Sequence, residues 1–139
     1  MHPRKLLQID RPRVESAAYN CKLAILKTKG LSEMASAKFH HLGVPTTAKG
    51  RNEVYIEAAK LYVTDPQSHP YRVEFLRFEP DSPMPDALKT RSHAAFMVEN
   101  LDQALKGKDV VLPPFDATDE LRVAFIQDGD ALIELMQMK

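Results

Sequence analysis

From Lys38 onward, apolar and polar positions alternate in short runs stopped by proline, glycine or aspartate, the pattern of a strand-rich chain with little helix. Phe39 to Val44 is expected to be a strand ended by Pro45, and the polar stretch Thr46 to Asn52, with Gly50 inside it, a loop. Glu53 to Lys60 is the one helix candidate in this half, although Val54, Ile56, Ala58 and Ala59 give it no clean 3.6 period. Leu61 to Thr64 and Tyr71 to Phe78 read as strands from their aromatic and β-branched residues. In the second of these, alternation sets Arg72, Glu74, Leu76 and Phe78 on one face and Val73, Phe75 and Arg77 on the other.

Asp81 to Asp86 carries Pro83 and Pro85 just after Pro80 and reads as a linker, since prolines fit neither a sheet interior nor a helix interior. Beyond it, Ser92 to Val98 is again strand-like. Asn100 is placed to cap a short helix, with Gln103 at its third position and Leu101, Ala104 and Leu105 as the buried stripe. Gly107 stops that helix. Val110 to Leu112, Leu121 to Ile126 and Ala131 to Met136 complete the strands, and Asp128-Gly129-Asp130 joins the last two as a hairpin.

Laid side by side, the two halves repeat. Each opens on a histidine ahead of a short apolar strand, in Phe39-His40-His41-Leu42-Gly43-Val44 and in Ser92-His93-Ala94-Ala95-Phe96. Each closes on a strand with one glutamate among apolar neighbours, in Val73-Glu74-Phe75-Leu76 and in Ile133-Glu134-Leu135-Met136. A carboxylate so flanked is costly to bury unless its charge is compensated. Matched pairs of histidine and glutamate point to one site shared by both halves.

These residues resemble the vicinal-oxygen-chelate superfamily, which includes glyoxalase I, methylmalonyl-CoA epimerase, bleomycin-resistance proteins and extradiol dioxygenases. The resemblance runs from about residue 38 to residue 136 and is closer in the second half. It implies an α+β fold of paired βαβββ modules (about 38–80 and 91–137) whose curled mixed sheet forms a cup around a divalent metal. Carried over residue by residue, the implied ligands are His41, Glu74, His93 and Glu134. His41 is preferred to His40 because the family's ligand directly precedes a step like Leu42-Gly43-Val44. Glu134 resembles the second-module glutamate that acts as base in glyoxalase I.

Two neutral imidazoles and two carboxylates suit nickel, cobalt, manganese, iron or zinc better than magnesium. A metal so held would polarise a carbonyl and stabilise an enediolate oxygen, with a carboxylate at its edge as base. The expected activity is therefore that of a metal-dependent lyase or isomerase of glyoxalase or epimerase type, acting on a small carbonyl compound. The alternative is a non-catalytic small-molecule-binding protein of bleomycin-resistance type. An extradiol dioxygenase fits less well, because it needs two histidines, one carboxylate and iron. The relatives' first-module helix, with its Phe-Tyr pair, has no counterpart in Thr46 to Lys60. The first module is thus expected with a reduced helix, and no glutathione-binding residues can be placed.

Composition narrows the rest. The chain has 139 residues, 44% of them hydrophobic, and 19 basic against 19 acidic side chains. That balance argues against nucleic acid or an anionic membrane as partner, and no apolar run is long enough to span a bilayer. Residues 1–37 hold seven basic and three acidic side chains. They are expected to form a basic extension, either an appendage or an arm on a partner subunit, ahead of a glyoxalase-like domain over 38–139. Ala18 to Leu26 could be a short helix or a strand. No secretory signal pattern is expected, the single Cys21 leaves no disulfide framework, and a cytoplasmic location follows. A homodimer is expected. Arg72, sharing the face of Glu74, is a candidate contact for an anionic substrate, His40 is expected on the face opposite His41, and His69 in a turn.

Overall fold

Short strands rich in β-branched and aromatic residues pair into one mixed sheet in the computed structural model, which describes residues 37–139. The expectations for residues 1–36, including the basic extension and Cys21, lie outside the described residues. The strands are β1 (Lys38–Pro45), β2 (Val54–Ile56), β3 (Leu61–Val63), β4 (Val73–Phe78), β5 (His93–Met97), β6 (Asp109–Thr118), β7 (Leu121–Asp128) and β8 (Ala131–Met138). Two short helices accompany them, α1 (Asp86–Thr90) and α2 (Leu101–Ala104). The sheet order is β2-β3-β4-β1-β5-β8-β7-β6. It is an α+β fold with a curled, cup-like sheet, and its two halves follow the same path.

The repeat is visible in the pairing. β1 runs parallel to β4 and β5 parallel to β8, while β1 and β5 meet antiparallel at the centre. Outer strands then extend antiparallel on each side. Alternation along β7 decides both layers of the second half. Val123 and Phe125 join Leu88 of α1, Ala95, Leu132 and Met136 in one core, whereas Ala124 and Ile126 pack with Leu101 and Leu135 in another. α2 therefore covers the outer face, and Asn100 caps it by accepting the Gln103 N–H at 2.9 Å. The first half has no α-helix between β1 and β2, in line with the reduced module.

Four local expectations are corrected. Glu53 to Lys60 is not a helix but β2 followed by a 3-10 turn over Glu57–Ala59, closed by Lys60 at φ 46°. The apolar positions of Val54 and Ile56 follow period two, and β3 supplies the partner strand. Asp86, taken as linker, instead starts α1, with Pro85 at its N-cap, where a missing N–H costs nothing. β6 continues through Pro113-Pro114 instead of ending before them. It can do so because it is the sheet's edge strand, and its register shifts between Leu112 and Phe115. Finally, Arg72 is not part of β4. Its φ of 55° breaks the alternation one residue before the strand starts.

Candidate metal centre

Register explains how four distant side chains reach one place. In β4, Glu74 pairs with Gly43 of β1, and in β8, Glu134 pairs with Ala95 of β5. Each histidine sits two positions before that small residue on its own strand, so all four side chains point to the cup face. Across the central β1–β5 pair, His41 lies opposite Ala95 and Gly43 opposite His93. The small residues make the room. A Cβ on Gly43 would stand 2.1 Å from His93 Cε1 and 2.2 Å from its Nε2.

The resulting geometry is tight. His93 Nε2 lies 3.0 Å from Glu134 Oε2, and His41 Nε2 lies 3.3 Å from the same oxygen. Glu74 Oε2 stands 3.7 Å from His41 Nε2 and forms no hydrogen bond among the described residues. His41, His93 and Glu134 are buried, with His41 only 1% exposed. Their ligand atoms all lie within 4.8 Å of one another, so this group could hold a metal ion. Glu74 joins it through His41 alone, as the looser fourth member.

Donor chemistry supports that fit. The His41 approach to Glu134 falls outside hydrogen-bonding geometry, so among the described residues His41 Nε2 is buried without a partner, an arrangement a ligand would relieve. Its other nitrogen is held: His41 Nδ1 and His40 Nδ1 are 2.8 Å apart, so one ring donates and the other accepts. With His41 as donor, its Nε2 carries the lone pair a metal ligand requires; with His40 as donor, the His41 Nε2–H faces the Glu134 carboxylate. Burial, His41 and Arg72 all lower the pKa of His40, which keeps it neutral and able to accept. The His93 ring is wedged edge-on against Phe125, centroids 5.0 Å apart.

The two glutamates are pushed in opposite directions. Burial raises Glu74 to about 7, only partly offset by His41. Burial would raise Glu134 too, but His41 and His93 outweigh it and hold the carboxyl well below its usual range. Glu134 is thus a fixed anion between two imidazoles, and Glu74 a carboxyl near its neutral point.

His40 departs from the alternation that would set it behind the sheet. β1 shifts register between Phe39 and His41, and this bulge turns the His40 ring toward His41, 5.1 Å between centroids. Nothing in the residue pattern signals such a bulge. Arg72 is exposed, and its Nε donates to the His40 carbonyl at 2.7 Å rather than entering the cup. His69 follows a 3-10 turn over Pro66–Ser68, and its Nδ1 accepts the Tyr71 N–H.

No protein-family model matches this chain, and no curated protein matches it.

Proposed function

We propose that the chain is a vicinal-oxygen-chelate protein in which His41, Glu74, His93 and Glu134 hold a divalent metal. On this reading it is a lyase or isomerase that removes a proton beside a carbonyl of a small substrate. One observation carries it: two buried imidazole Nε2 atoms converge on a single carboxylate oxygen, and one of them, on His41, has no hydrogen-bond partner among the described residues. Nickel, cobalt, zinc, manganese and iron all suit this donor set.

A divalent ion bound there would draw electron density from a carbonyl oxygen and acidify the neighbouring C–H. The chain's own residues do the rest. His41 and His93 bring their Nε2 atoms together from adjacent strands with Glu134 between them, and a bound metal would take the Nε2 lone pairs once His93 gives up the proton it shares with Glu134. The resemblance gives the base role to Glu134, but that carboxylate must first leave both imidazoles. Glu74 has one long contact, lines the cavity, and is the carboxylate able to move and accept a proton. We therefore assign proton acceptance to Glu74. Apolar side chains make up most of the cavity wall around these groups.

A non-catalytic binding module is the second reading. The 3.0 Å hydrogen bond between His93 and Glu134 favours it, because that part of the cluster is satisfied without an ion. The test is proton exchange at the C–H of 3-hydroxy-2-butanone in D2O, followed by NMR with cobalt- or nickel-loaded protein. Exchange that needs the metal and vanishes in Glu74→Gln with metal retained supports the enzyme with Glu74 as base. Loss in Glu134→Gln with metal retained, and not in Glu74→Gln, returns the role to Glu134. Stoichiometric metal without exchange of this or any related hydroxyketone supports the binding module. A homodimer belongs to this proposal although one chain supplies all four side chains; a light-scattering mass of 15.7 kDa would remove it.

A further inference from the structure

We infer that the cup selects an uncharged ligand with a compact apolar body and its oxygens gathered at one end. This rests on the proposed metal site for the oxygen-bearing end only; the apolar part stands on the cavity itself. The cavity has a volume of about 160 Å³. Its polar groups are His41, Glu74, His93 and Glu134, clustered together, with Thr118 as the remaining polar side chain in the wall. Everything else is apolar, including Leu76, Phe78, Met84, Phe115, Phe125 and Met136.

Among the described residues, no lysine or arginine lines the cavity. The arginines nearest in sequence to Glu74 are committed elsewhere. Arg72 holds the His40 carbonyl, while Arg77 pairs with Glu53 at 2.9 Å and lies over the Tyr62 ring. A phosphate or carboxylate carried away from the site's polar end would therefore meet apolar wall and no countercharge from the described residues, which disfavours it. Size sets the second limit. An apolar cavity of roughly 150 Å³ accommodates benzene, so the body that fits here has on the order of six to ten non-hydrogen atoms. A nucleotide or peptide tail would have to remain outside.

The test measures binding by calorimetry and NMR to zinc-loaded and metal-free protein. Three probes are compared: 2-hydroxyacetophenone (neutral, apolar body), dihydroxyacetone phosphate (the same head with a dianion) and benzene (no oxygens). The expected order on zinc-loaded protein is the phenyl ketone tighter than the phosphate by at least about tenfold. Benzene should bind the metal-free protein and shift the methyl signals of Met84 and Met136. Thr118→Arg, an exposed wall position, should narrow the gap by strengthening phosphate binding without loss of fold. Equal or tighter binding of the phosphate to the wild-type protein, or benzene leaving the methionine signals unmoved, overturns the inference. If zinc does not bind but benzene still does, the metal reading fails and the apolar selectivity stands. If zinc binds while benzene does not, the selectivity fails and the metal reading survives.

Discussion

Gly43→Ala should dismantle the metal site without altering any ligand. The added Cβ would stand 2.1 Å from His93 Cε1, where ordinary contact begins at 3.4 Å, so the ring must withdraw by roughly 1.3 Å. It has little space for that move. The His93 side chain is buried, braced by Phe125 on one side and His41 on another, with centroid separations of 5.0 and 5.8 Å. Metal–ligand distances tolerate only about 0.2 Å, so His93 is lost as a ligand. Affinity should fall by at least about a hundredfold, beyond the range for disturbing a supporting residue. Overpacking should also cost the metal-free protein about 1–3 kcal/mol. The assay is cobalt or zinc affinity by chelator competition, alongside thermal unfolding of the metal-free protein. Leu42→Ala, one residue away on the exposed face of β1, is the control and should leave affinity unchanged. A Gly43→Ala protein that binds cobalt within about threefold of wild type would refute the packing argument, since the whole range expected from lesser perturbations starts at tenfold.

Glu74 gives a pH signature. Its folded pKa, about 7, lies above the ordinary 4.5, so the folded metal-free protein holds this proton longer than the unfolded chain. Stability should therefore fall as pH rises from about 4.5 to 7, and Glu74→Gln should remove that slope and stabilise the metal-free protein at pH 8 by about 1–3 kcal/mol. Chemical denaturation at pH 5 and pH 8 checks this; a destabilised Glu74→Gln at pH 8 would contradict it. Glu134 behaves oppositely, its depressed pKa adding stability that is full above the ordinary carboxyl range and lost progressively as pH falls below about 4.5. His40→Ala should weaken metal binding by about 10–100-fold while leaving one ion per chain at saturation, whereas His93→Ala should abolish stoichiometric binding. Competition titration separates the two.

Much of the site was legible because its signals are local. A glutamate flanked by apolar residues, twice, and a histidine opening a strand, twice, mark Glu74, Glu134, His93 and the His40-His41 pair without any knowledge of pairing, while the choice of His41 came from the family resemblance. The capped helix at Asn100 and the hairpin at Gly129 were equally readable, since cap and turn chemistry act within a few residues. What failed depends on neighbours that the chain does not reveal locally. Pro113-Pro114 ends a strand in a sheet interior, and only the sheet order shows β6 to be an edge. Val54 to Ala59 is too short for either period to win, and β3 settled part of it as a strand. His40 and Arg72 were misplaced by strict alternation, through a bulge in one case and a left-handed residue in the other. Those two errors are linked in space, because Arg72 holds the carbonyl of His40.

Metal content decides whether His41, Glu74, His93 and Glu134 form a metal centre. Protein purified without chelator should carry close to one transition-metal ion per chain. After stripping, adding nickel, cobalt, zinc or manganese should restore it and raise the melting temperature, because an ion bound only by the folded state stabilises that state by mass action. Less than about a tenth of an equivalent of any such metal, with no rise in melting temperature on addition of all four, would contradict the account and leave the cup as a plain ligand pocket.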